Sequence, residues 1–134
     1  MMNAIILTHG DFGRALLNTT EKIIGPVDGV KVLSNELTSI KNLVVDLEKI
    51  VSDWRDSDIL IAVDFCGGSC WHAAQVVKRN KNNVILISGI NLPMMLSFVS
   101  RRESFKPPEL AEYLKKSSIK GTEIIIHSET SERA

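Results

Sequence analysis

The chain is predicted to be an α/β protein, an open three-layer arrangement in which helices cover both faces of a mostly parallel sheet. Three observations carry that prediction: short apolar runs recur along the chain, amphipathic stretches of roughly 10 to 15 residues separate them, and Gly, Pro and polar residues punctuate the joins. A strand that returns to its sheet through a helix does so by a right-handed crossover, which makes the strands parallel.

The elements follow in order. Ala4-Ile5-Ile6-Leu7 is a continuous apolar run, the signature of a strand buried on both faces. A helix is predicted over Phe12 to Ile24, where Phe12, Ala15, Leu16, Leu17, Ile23 and Ile24 form a broad apolar stripe that Gly25-Pro26 ends. Val30 to Leu33 is a second strand. Thr38 or Ser39 caps the next helix, the clearest amphipathic one, with Leu43, Val44, Leu47, Ile50, Val51 and Trp54 on its apolar face. Asp58 to Asp64 is a third strand, continuous in its apolar content between two carboxylates. Gly67-Gly68-Ser69 turns the chain into a helix containing Trp71, Ala74 and Val77 and ending near Lys78. Val84-Ile85-Leu86-Ile87 is the fourth strand, Gly89 to Pro93 a loop, and Met94 to Val99 the opening of another helix. Pro107 or Pro108 suits the first turn of a last helix through Leu110, Ala111 and Leu114. Thr122 to Ile126 is expected to be a fifth strand and His127 to Ala134 a frayed tail, with residues 1–126 as a single domain.

Composition narrows the function. With 134 residues, 44% of them apolar, the chain is long enough for a core without disulfides or structural metals. Sixteen basic and sixteen acidic side chains cancel, so no global positive field exists to hold nucleic acid or an anionic membrane. No apolar stretch reaches the length of a membrane span, the first ten residues lack the basic flank of a signal peptide, and two cysteines four positions apart do not make a disulfide framework. A cytoplasmic protein is expected.

In an open parallel sheet, ligands gather beyond the carboxyl ends of the strands, where the chain changes direction across the sheet. Three such ends are polar and glycine-bearing: Thr8-His9-Gly10, Asp64-Phe65-Cys66-Gly67-Gly68-Ser69 and Ser88-Gly89-Ile90-Asn91-Leu92-Pro93. Sequence alone leaves strand order open; in a flavodoxin-like 2-1-3-4 order, His9 and Asp64 emerge side by side. A carboxylate that accepts from one imidazole nitrogen fixes the tautomer and leaves the other nitrogen as a nucleophile. Backbone N–H groups of Gly67-Gly68-Ser69 at a helix start would suit phosphoryl oxygens.

These segments, with Gly89-Ile90-Asn91-Leu92-Pro93-Met94, resemble in order and spacing the IIA domain of the mannose-family sugar phosphotransferase system, over roughly residues 2–126. The resemblance implies a phosphoryl carrier. His9 would accept a phosphoryl group from the phosphocarrier protein HPr and pass it to a IIB component, a separate chain, which serves the membrane IIC and IID components in sugar import. It also implies Asp64 as the orienting carboxylate and Thr8, Gly67, Gly68 and Ser69 around the phosphate. It further implies a cytoplasmic homodimer in which the strand at Thr122 to Ile126 is exchanged, pairing antiparallel with the partner's sheet. Neither cofactor nor metal is expected. Family members commonly continue Gly-Gly-Ser with Pro, an aromatic residue and Asn, whereas this chain reads Ser69-Cys70-Trp71-His72. That departure motivates an alternative, a regulatory module of the same fold acting through phosphorylation-dependent partner binding.

Other features have blander readings. Cys66-x3-Cys70-x-His72 invites zinc but has no evident fourth ligand. Met94, Met95 and Phe98 read as core, Arg101-Arg102 as a solvated helix end, and Asn91 either as a site amide or as a loop-shaping residue.

Overall fold

In the computed structural model, which describes residues 1–127, the first strand lies in the interior of the sheet. Strands β1 (Asn3–Thr8), β2 (Val30–Ser34), β3 (Ile59–Val63) and β4 (Val84–Ile87) lie in the order β2-β1-β3-β4, all parallel. Helices α1 (Phe12–Ile24), α2 (Ile40–Asp53), α3 (Ser69–Lys78), α4 (Leu92–Arg101) and α5 (Pro107–Lys120) cover the two faces.

The period of two along a strand divides the core. Ala4 and Ile6 of β1, with Leu60 and Ala62 of β3, face Leu16 and Leu17 of α1, Met94, Met95 and Phe98 of α4, and Leu110 and Leu114 of α5. Ile5 and Leu7, with Ile59, Ile61 and Val63, face Leu43, Leu47 and Val51 of α2 and Ala73, Ala74 and Val77 of α3. Every residue of β1 and β3 is buried. A strand with helices on both sides must be apolar on both, which is why these runs are continuous rather than alternating.

Element ends refine the expectations. Of the two candidate caps, Ser39 is the one used: its Oγ accepts from Asn42 N–H at 3.1 Å. Asn91 shapes the loop: its Oδ1 accepts from Met94 N–H at 3.0 Å, which starts α4 at Leu92, ahead of the expected Met94. Helix α5 runs past Leu114 to Lys120 because nothing between them breaks a helix before Gly121. The expected fifth strand does not form within the single chain. Residues 122–126 have no strand conformation, and Ile124, Ile125 and Ile126 are 72%, 61% and 81% exposed. His127 is exposed; the rest of the expected tail, 128–134, lies outside the described residues.

Candidate active site

The chain leaves β1 toward β2 on one side of the sheet and leaves β3 toward β4 on the other, so the carboxyl ends of β1 and β3 border the crevice at the switch point. The register pairs Leu7 with Val63. One step beyond that pair the chain carries Asp64, and two steps beyond it His9.

Asp64 Oδ2 accepts twice from His9, from the backbone N–H at 2.9 Å and at ring Nδ1 at 2.8 Å, while Oδ1 accepts from Phe65 N–H at 3.1 Å. Partial burial raises the carboxyl pKa, but these hydrogen bonds and the attraction of His9 outweigh it and leave Asp64 below its ordinary value. Asp64 is therefore an ionised, acceptor-only group at neutral pH, and the proton between it and the ring belongs to Nδ1. The lone pair of the imidazole then sits on Nε2. The His9 side chain is 36% exposed and that of Asp64 13%, so the carboxylate is largely covered while the ring is open to solvent. Phe65 stacks on the ring, with centroids 4.9 Å apart and planes 22° from parallel.

The turn after β3 brings α3 against this pair. Gly67 has φ +99°, a left-handed conformation that glycine adopts without strain. At Gly68 the limit is space: a Cβ would sit 2.9 Å from Phe65 Cζ and 3.1 Å from His9 Cε1. Gly68 caps α3 without a side-chain bond, so the first-turn N–H groups at Ser69 to Trp71 keep their donor capacity beside the histidine. Ser69 Oγ accepts from Asn35 Nδ2 at 3.3 Å, and Asn35 Oδ1 accepts from Gly10 N–H at 3.3 Å, tying the ends of β1, β2 and α3 together.

Thr8 is a correction. Its side chain is buried and its Oγ1 accepts from Gly13 N–H at 2.7 Å, so the hydroxyl seats the start of α1 and does not face the crevice. The structure sets Gly68 against the His9–Asp64 pair, with Gly67 and Ser69 on either side of it in the same turn. Asn35 and Phe65 were not among the predicted site residues; listing the polar end of β2 alongside the other strand ends would have found Asn35. The Cys66-x3-Cys70-x-His72 spacing does not gather, since Cys66 is exposed and Cys70 is buried in the core. Cys70 points instead toward the site, with Sγ 3.8 Å from His9 Nδ1. Burial, and then the charge of Asp64, push its thiol up to about 11. Arg102 lies away from the site, over the Phe98 ring at 5.4 Å.

A parallel α/β sheet with a carboxylate-held imidazole and a glycine-led helix start at its switch point defines a class of protein, a domain organised around a half-buried histidine at the strand ends. Residues 3–115 match the family described as EIIA-man, PTS system fructose IIA component. The chain belongs to this family, the mannose-type EIIA components of the sugar phosphotransferase system (PTS). It is 30% identical over 114 residues to the PTS sorbose-specific EIIA component of Klebsiella pneumoniae, covering 85% of this chain and 84% of that one. It is 28% identical over 120 residues to the PTS fructose-specific EIIA component of Bacillus subtilis (strain 168), covering 88% and 82%. The crystal structure of a phosphotransferase system component EIIA from Streptococcus agalactiae superposes with a TM-score of 0.85 at 26% identity, covering 92% and 97%. Among the described residues, no helix is long and apolar enough to cross a membrane.

Proposed function

We propose that this chain carries phosphoryl groups on His9 between phosphorylated HPr and a IIB protein, in the cytoplasm, as part of sugar import. One observation supports the reading: the His9 ring is fixed by Asp64 at Nδ1, 2.8 Å away, while the ring itself stays partly open to solvent. In the transfer, the Nε2 lone pair attacks the phosphorus of the donor's phosphohistidine. The donor P–N bond breaks as the new one forms, and the electron pair returns to the donor imidazole. Asp64 stabilises the charge the ring gains, and the N–H groups from Gly68 to Trp71 receive the phosphoryl oxygens. Transfer to IIB is the reverse of these steps with a different acceptor. Because the donor is already reactive, orientation supplies most of the rate.

Incubation with phosphorylated HPr is expected to leave an acid-labile, alkali-stable label that His9→Ala removes. A His9→Ala chain that labels like the parent overturns the assignment. The altered Ser69-Cys70-Trp71-His72 segment at the helix start keeps one alternative, a regulatory module controlled by the same phosphorylation; a labelled chain that transfers nothing to any IIB protein would favour it. The exposed Ile124, Ile125 and Ile126 support a homodimer in which this segment pairs with a second copy's sheet.

A further inference from the structure

Cys70 has no part in the proposed transfer, yet it closes a compact donor set. Its Sγ lies 3.8 Å from His9 Nδ1, which lies 2.8 Å from Asp64 Oδ2, and one ligand atom from each of the three residues falls within 4.8 Å of the others. The three side chains stand at the end of β1, the end of β3 and the first turn of α3, so the scaffold holds them from three directions. We propose that His9, Asp64 and Cys70 form a zinc site that excludes phosphorylation of His9.

Thiolate, imidazole and carboxylate are the ordinary donors to zinc, and three protein ligands leave a fourth position for water. Tetrahedral bonds of about 2.0–2.1 Å to N and O and about 2.3 Å to S separate N from O by roughly 3.3 Å and N from S by roughly 3.6 Å. The His9–Asp64 distance must open by about half an ångström, the N–S distance is already close, and the Asp64–Cys70 O–S distance, within 4.8 Å, must close to roughly 3.6 Å. The partly open His9 ring provides the entry path. On binding, the Cys70 S–H bond breaks, its proton goes to solvent and a Zn–S bond forms, giving a neutral group from Zn²⁺, one thiolate and one carboxylate. The imidazole gives up its proton at Nδ1 to the metal's advantage and takes one from solvent at Nε2. Nε2 then has no lone pair, so the acceptor is silenced without any change of fold. This consequence rests on the phosphoryl-carrier reading; the metal site itself does not.

The reduced full chain, titrated with Zn²⁺ against a chromophoric chelator, is expected to hold one equivalent. Co²⁺ in its place should give tetrahedral d–d absorption and a thiolate-to-cobalt charge-transfer band, and persistence of that band in Cys66→Ser assigns the thiolate to Cys70. Cys70→Ser and Asp64→Asn should each weaken zinc tenfold or more, while Cys66→Ser and His72→Ala bind like the parent. Absence of binding, absence of the charge-transfer band, parental affinity in Cys70→Ser, or loss of binding in Cys66→Ser overturns the site. Zinc should lower label uptake from phosphorylated HPr at least tenfold, reversibly on chelation, and the ratio of uptake with and without zinc should return toward one in Cys70→Ser. Uptake by the zinc-loaded parent at the metal-free rate overturns the silencing. A chain that binds zinc as described but takes no label under either condition sinks the phosphoryl-carrier reading and leaves the metal site standing.

Discussion

Asp64 holds His9 at two points, and the two bonds do different work. The bond from the backbone N–H fixes the tip of β1, and the bond from the ring fixes the tautomer. In Asp64→Asn the carboxamide cannot stabilise a charged ring and can present an N–H to Nδ1, which moves the imidazole proton to Nε2. Label uptake from phosphorylated HPr is expected to fall by about 100-fold or more, with ¹⁵N shifts of the His9 ring reporting the tautomer; parental uptake would mean that the carboxylate is dispensable. The depressed carboxyl also makes a prediction about stability. Because the folded pKa lies below the unfolded one, the folded state gains from ionised Asp64 above the unfolded value of about 3.9, and that gain is lost as pH falls through the lower folded value. In chelator, the stability difference between parent and Asp64→Asn should therefore shrink as pH falls below about 4, as followed by urea unfolding at each pH. His9, Asp64 and Gly67 to Ser69 were legible in the sequence because polar residues and glycines closing apolar runs mark strand ends. The direction of Cys70 was not legible, since it depends on the rotational phase of α3 from Ser69, which the short apolar pattern of that helix leaves open.

At the scale of elements, α2 separates capping from core packing. Ser39→Ala removes one hydrogen bond at an exposed helix start and is expected to cost about 1 kcal/mol. Leu47→Ala empties a fully buried position between α2 and the sheet and is expected to cost about 2–5 kcal/mol. Denaturant midpoints with unchanged slopes would check both, and a Leu47→Ala cost no larger than that of Ser39→Ala would contradict the packing described here. The strands could be read directly from the sequence because burial on both faces forces continuous apolar runs. Helix ends were harder. The start of α4 depends on the Asn91 side chain reaching Met94 N–H, and the length of α5 depends on polar residues after Leu114 that neither favour nor stop a helix.

At the scale of the whole molecule, strand order was the part that local patterns left undetermined; it became definite only through the pairing of β1 with both β2 and β3. The apolar segment at Ile124 to Ile126 has the opposite status, readable as a strand but unpaired within one chain. Sedimentation equilibrium of the parent is expected to give a dimer, and Ile124→Lys combined with Ile126→Lys, which places charge on one face of the segment, a monomer. A monomeric parent would remove the exchange. The position of β1 at the centre of the sheet has a consequence for synthesis. His9 leaves the ribosome well before the carboxylate that orients it, which lies 55 positions later in sequence, and the turn that flanks it follows Asp64. Nascent chains stalled before β3 and α3 have emerged cannot assemble the nucleophile, so phosphoryl uptake on a ribosome-bound chain reports that the middle of the sheet has closed.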